Sequence, residues 1–527
     1  VNPSTINTQI ECSPRATVRW VLLSAILASS MVFIDGTALS IALPAMQAGF
    51  NATGADLLWV TNGFSLPLAA LLLLGGTLGD CYGRKRVFTF GIVVFTVASL
   101  ICGLAPNVSA LIAARVVQGV GGALMIPGAL AMISTHFGPT ERGRAIGTWS
   151  AFSVLATALG PVLGGLLARA GLWRWVFFIN LPLAVIALAA LWWRIPTETK
   201  TAHDRQVDWS GALAITLGLA ALNYGLIRWS KGGTCDSLVL VTLLVGAVSC
   251  LLFVFIQRRS SYPLLPLEVF KSRSLSTASL LSLLFFTAFH GMLFFLPLNL
   301  IQVQHYDPAF AGLTQLPLMA LLIVLSRFAG GLVDRFGPRI PLSLGPLLAG
   351  IGFWLFSLPG LTAGRADFAR TFLPGLLLVG AGLGLTAAPL STTVMGSMSE
   401  ARLGLASGIN STLTRLAGVL AVATLGPVAI ISFGQSLTGR TSALGLPPAQ
   451  YAELRRETVK LAEARPPAGL SPAASAEVMK AIRLAFVDAF RLVARIAAVL
   501  SWLGAVLAWC LFAQGAPKPG GGCRARP

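Results

Sequence analysis

Three polar residues stand where the chain is otherwise apolar. Asp35 lies inside one apolar window (20–45), and Arg115 lies inside another (109–134). Gln118 follows Arg115 by three residues and so shares its helical face. An acid in lipid is costly and marks a functional site by default. Burial disfavours the charged form of a carboxylic acid, which suits a group that takes up and releases a proton near neutral pH. A fixed cation in a dry cavity competes with that proton. These residue types point to proton exchange. Plainer roles stay open: a packing or capping group at a wet vestibule for Asp35, and a donor to backbone carbonyls for Arg115. One sequence does not say whether the two residues touch.

The surrounding composition decides what kind of element holds them. The 527 residues are 55% hydrophobic and 11% charged, with a mean hydropathy of +0.79. Soluble domains carry about 25% charged residues. The long apolar runs fit spanning helices, and the alternation of barrel strands is missing. Fourteen windows are long enough to cross a bilayer: 20–45, 55–74, 87–105, 109–134, 144–168, 174–193, 209–228, 238–257, 276–302, 311–333, 341–359, 372–396, 404–432 and 492–513. The fold class is an all-α polytopic membrane protein. Its one long polar stretch, 434–485, reads as a loop with some helix.

A net charge of +19 does not imply a nucleic-acid partner, because the bases lie in short loops between apolar runs. No Ser-His-Asp set, metal-ligand spacing or phosphate-binding lysine loop is visible, and the seven cysteines form no C-x-x-C pair. An enzyme is therefore not expected, nor any metal or cofactor. Lysine and arginine in the short loops split twenty to six between the two sides. The positive-inside rule places both termini in the cytoplasm and 434–485 outside.

"GGTLGDCYGRKR" (75–86) is echoed by "GGLVDRFGPR" (330–339) at an offset of 254 residues. Gly76 matches Gly330, Asp80 matches Asp334 and Gly83 matches Gly337, whereas Pro338 stands where Arg84 would be repeated. Eight spans separate the copies, two more than a six-span duplication gives. The chain thus divides into a tail (1–19), a six-helix half (20–194), two inserted helices (195–262), a second six-helix half (263–513) and a tail (514–527). Parallel repeats of this kind bind substrate near midplane between the halves. In "GPVLGG", Gly160 and Gly164 are four apart and can let a neighbouring backbone approach, while Pro161 can bend the span. His290 reads as a satisfied interior histidine, and Arg327 and Arg415 as structural arginines.

Five segments in order resemble the major facilitator superfamily, and within it the fourteen-span drug:proton antiporters of the EmrB/QacA type. "GGTLGDCYGRKR" is similar to that family's motif A, "FIDGTALSIALP" (33–44) to its first-span signature and "LIAARVVQGVGGAL" (111–124) to motif B. "ATALGPVLGG" (156–165) resembles motif C, with Ala156 where glycine is usual, and "WRWVFFINLP" (173–182) resembles the start of span six. The resemblance implies two six-helix halves plus two inserted helices. It also implies proton-driven export of small amphipathic or lipophilic compounds from the bacterial inner membrane, with no cofactor. Monocations or neutral compounds are the expected cargo. The implied roles are proton coupling for Asp35, Arg115 and Gln118, and gating for Gly76, Asp80, Gly83, Arg84 and Asp334. The antiporter seal falls to Gly160, Pro161, Gly164 and Gly165. Partners would be the lipid bilayer, protons and a small-molecule substrate, with a periplasmic adaptor protein as a further candidate.

Overall fold

The computed structural model describes residues 15–137, 139–195, 207–232, 236–396, 403–442, 444 and 446–512. Every regular element among them is helical. The first half comprises α1 (Arg15–Phe50), α2 (Gly54–Tyr82), α3 (Arg84–Leu104), α4 (Val108–His136), α5 (Pro139–Arg169), the short α6 (Trp175–Phe178) and α7 (Asn180–Arg194). A hairpin of α8 (Trp209–Gly232) and α9 (Ser237–Arg259) follows. The second half comprises α10 (Arg273–Leu298), continued by a π-turn at Asn299–Val303, then α11 (Pro308–Leu313), α12 (Leu316–Phe336), α13 (Arg339–Phe356), the short α14 (Phe368–Thr371) and α15 (Leu373–Gly396). It ends with α16 (Leu403–Ser442), α17 (Pro448–Glu457) and α18 (Pro472–Leu511). Thirteen helices are long and apolar enough to span a membrane among the described residues, and α5 carries a shorter apolar stretch at Leu155–Arg169 where the fourteenth span is expected.

Packing repeats with the sequence. In the first half α2 and α3 pack on α4, α1 packs on α5, and α3 packs on α7. In the second half α12 and α13 pack on α15, α10 on α16 and α13 on α18. The inserted hairpin lies at the seam, with α8 against both α2 and α16.

The polar stretch 434–485 is more helical than a loop. α16 continues to Ser442 and α18 starts at Pro472. α18 has 40 residues, about 60 Å at 1.5 Å per residue, or twice the hydrocarbon core. Lys480, Arg483, Asp488 and Arg491 broke the apolar window there. Three of these charges are satisfied by the fold: Arg483 donates to the Val303 carbonyl, Arg491 to those of Leu358 and Pro359, and Asp488 pairs with Arg440.

Candidate functional site

The interior of the first half is organised around Asp35. The side chains of Asp35, Arg115 and Gln118 are buried to within 1% of full occlusion. Arg115 Nη1 donates to Asp35 Oδ2, forming an ion pair. The same nitrogen donates to Gln118 Oε1 at 2.8 Å, and Gln118 Nε2 returns to Asp35 Oδ1 at 3.0 Å. The three expected proton-coupling residues are therefore one closed triangle, eighty residues apart in sequence but joined across α1 and α4.

The surroundings hold that triangle in place. Arg115 Nε donates to the Val60 carbonyl on α2, and its guanidinium lies 4.3 Å above the Phe64 ring. Gln118 Nε2 also donates to Ser99 Oγ on α3, which accepts from Asn180 Nδ2 on α7 and donates to the Phe177 carbonyl. Cys102 Sγ faces Gln118 Oε1 at 3.6 Å. Ser99, Cys102 and Asn180 carry no charge and sit singly in apolar runs, so nothing in the sequence marked them.

Motif C is a contact surface on two sides. A Cβ at Gly160 would run into Thr37, and one at Gly164 into the Ala38 backbone, so α5 and α1 meet at backbone distance. Gly165 faces the other half: a Cβ there would overlap the Pro308 carbonyl, and one at Gly312 would overlap the Pro161 carbonyl. Nearby, Gln302 Nε2 in the π-turn after α10 donates to Gln47 Oε1 on α1 at 2.9 Å and to Glu463 Oε1 at 3.3 Å, while Gln47 donates to the Lys460 carbonyl. The halves are thus pinned together at the end where α1 meets α2.

At the opposite end both motif A copies turn as expected. Gly83 (φ +97°) separates α2 from α3, and Gly337 (φ +72°) separates α12 from α13, in a backbone region that favours glycine. Asp80 pairs with Arg84 at 3.1 Å, and Arg84 also donates to Thr135 on α4. The glycine that permits close helix approach is Gly75, where a Cβ would strike the Ala123 carbonyl; at Gly76 it would meet Pro127 at an ordinary 3.7 Å. Within this motif close helix approach is therefore made at Gly75 and not at Gly76. The side chains of Asp334 and Arg327 lie outside the described residues, although both positions belong to α12.

Between the halves is a cavity of about 90 Å³ lined by α1 (Gly36, Ser40), α2 (Thr61, Ser65), α10 (His290, Phe294) and α16 (Gly418, Val422).

Two six-helix halves with a cavity between them fit a transporter architecture, and residues 25–422 match the profile of one family. The chain belongs to the Major Facilitator Superfamily. Among superfamily members, the multidrug resistance protein Stp of Mycobacterium tuberculosis (strain CDC 1551 / Oshkosh) is 35% identical over 408 residues, covering 77% of this chain and 75% of that protein. The tetracenomycin C resistance and export protein of Streptomyces glaucescens is 33% identical over 493 residues, covering 92% and 90%. A bacterial homologue of the lysosomal transporter Spinster, solved inward-facing and unoccupied, superposes with a TM-score of 0.59 at 20% identity, over 94% of this chain and 98% of that one. At that identity the likeness concerns the superfamily fold. The protein is accordingly a multi-pass membrane protein with a transporter fold.

Proposed function

We propose that the protein is a proton-driven exporter of small amphipathic or lipophilic compounds, working by alternating access in the bacterial inner membrane with both termini cytoplasmic. The observation that carries this reading is the buried triangle of Asp35, Arg115 and Gln118. A proton arriving on Asp35 removes the charge that Arg115 neutralises. Arg115 then keeps only neutral acceptors, Gln118 Oε1 and the Val60 carbonyl, so its position becomes negotiable. Because α1 also lines the interhalf cavity and packs on motif C, a change at Asp35 biases the seam between halves. Sealed at the α1–α2 end, the protein described here is the form with its outer side shut.

Relatives support the direction of transport: the names of Stp and of the tetracenomycin protein are those of resistance and export. The second of these also favours a narrower alternative, a dedicated exporter of one native compound, since it matches 92% of this chain. The test is reconstitution in proteoliposomes under an imposed pH gradient. Substrate-dependent proton flux is expected from the native protein and none from Asp35→Asn. Unaltered coupled flux in that variant would remove Asp35 from the mechanism, and a drug panel in a pump-deficient host would separate the broad reading from the narrow one.

A further inference from the structure

The cavity between the halves has a charge character that the triangle does not explain. Arg415 lies on α16, three and seven residues before the cavity-lining Gly418 and Val422, and so on their helical face. Twelve residues separate it from Leu403 at the start of α16, about 18 Å along the axis, too deep for an arginine to snorkel easily to a headgroup. Its guanidinium has no hydrogen bond or ion pair among the described residues. The Phe33 ring lies 5.9 Å from the guanidinium carbon, and the arginine's charge reaches His290. Phe33 precedes the cavity-lining Gly36 and Ser40 by three and seven residues, so Phe33 and Arg415 sit one turn beyond the lining residues, on the same helix faces.

The cavity wall adds one free hydroxyl: Thr61 Oγ1 is buried without a hydrogen-bond partner among the described residues. His290 Nδ1 donates to the Phe286 carbonyl at 2.8 Å, so the neutral ring presents Nε2 to the cavity as an acceptor and adds no donor. No carboxylate lines it, because Asp35 is spent on Arg115 and Gln118. At Gly36 a side chain would meet nothing within 4 Å, so that wall is open. Phe294 and Leu293 supply an apolar face.

We infer that Arg415, with Thr61, is a receptor for an anionic or strongly hydrogen-bond-accepting oxygen on an aromatic cargo: a carboxylate, phenolate or enolate on a planar ring. The guanidinium fork matches two coplanar oxygens, and Phe33 and Phe294 offer surface to a ring. A cavity of about 90 Å³ takes such a head group rather than a whole drug-sized molecule. Lipophilic cations meet an unpaired like charge in a low-dielectric space and are disfavoured. That departs from the monocations or neutral compounds expected from the sequence. The inference rests on the export reading only for the direction of movement.

Equilibrium binding in nanodiscs of phosphatidylcholine alone, without a pH gradient, tests it independently of proton coupling and of anionic lipid. The native protein should bind 2-naphthoate at least about ten-fold more tightly than 2-naphthamide, the scale of one charge-assisted hydrogen bond. Tetraphenylphosphonium should bind more weakly than the anion. Arg415→Gln should erase the preference for naphthoate over the amide, and Arg415→Lys should retain part of it. Equal binding of naphthoate and naphthamide by the native protein overturns the inference, whatever the variants do. So does a preference that survives Arg415→Gln, or tighter binding of the phosphonium. Proton flux with a different cargo would leave the export reading intact while this one falls.

Discussion

The two halves repeat one packing plan but treat buried charge in opposite ways. In the first, Asp35 and Arg115 neutralise each other, and Gln118, Ser99 and Asn180 extend the network to four helices. In the second, Arg415 meets no carboxylate among the described residues, and the helix opposite it offers His290 among phenylalanines. A charge enclosed with its partner can be switched by one proton while remaining dry. A charge facing a cavity without a partner is available to a ligand. Under the proposed function and the inference above, the first half would couple and the second half select.

The largest effect should come from breaking the triangle. Removing one member of a buried ion pair costs about 3–5 kcal/mol, but the two members are not equivalent. When Arg115 is lost, Asp35 can take a proton and shed its charge. When Asp35 is lost, Arg115 cannot give one up. Asp35→Asn should therefore lower the thermal midpoint of the detergent-purified protein more than Arg115→Gln. Equal losses, or the reverse order, would mean that the pair is solvated and the contrast with Arg415 is false.

Motif C offers a contrast on a smaller scale. Gly164 packs within the first half and Gly165 between the halves. Overpacking at such contacts costs about 1–3 kcal/mol. Gly164→Ala should destabilise without opening the seam. Gly165→Ala should open it, read as faster labelling of a Ser40→Cys cavity reporter by an impermeant maleimide added outside. If both variants behave alike, motif C is ordinary packing and not a seal.

Much of this arrangement was legible in the sequence, and the exceptions have physical causes. Asp35 and Arg115 stood out because charge in an apolar window is costly; their pairing did not, since contact between α1 and α4 depends on how the helices are rotated. Gly75 and Gly76 are adjacent, and only the facing backbone of α4 shows which one is crowded. Arg415 was visible as a residue but read as structural, because its lack of a partner is a property of the fold. The start of α18 was hidden by charges whose partners lie on the connections after α10 and α13 and on α16.

The plug that Gln47, Gln302 and Glu463 form at the α1–α2 end, outer in the proposed orientation, supplies a pH effect. Glu463 lies beyond the spans, and burial pushes its carboxyl up from the ordinary value of 4.5, against the opposing pull of Arg465 and Gln302. A raised value means that the plugged form holds the proton more tightly than the open one. The plug is then firmest below the ordinary value and loosens as pH rises through the raised one. External labelling of the Ser40→Cys reporter should accelerate over that window, and Glu463→Gln should flatten the change when compared at each pH. A pH response that persists in Glu463→Gln assigns the plug to other groups.

The smallest effect concerns the inserted hairpin, which touches both halves unequally. Toward the first half, Asn62 Nδ2 on α2 donates to Asn223 Oδ1 on α8 at 2.5 Å, in a buried setting beside Leu66 and Ala69. Toward the second half the recorded packing of α8 is apolar, Leu219 beside Val419 and Leu416 on α16. A hydrogen bond fixes direction and register, whereas an apolar face can slide. The hairpin should therefore travel with the first half when the seam opens. Asn62→Ala and Asn223→Ala should each cost about 1 kcal/mol, and together less than their sum, because the second truncation removes a partner already stranded by the first. A cysteine cross-link between α8 and α2 should leave transport intact, and one between α8 and α16 should arrest it. Arrest by both would make the hairpin a rigid clamp across the seam, and the two halves would then differ in charge but not in how they move.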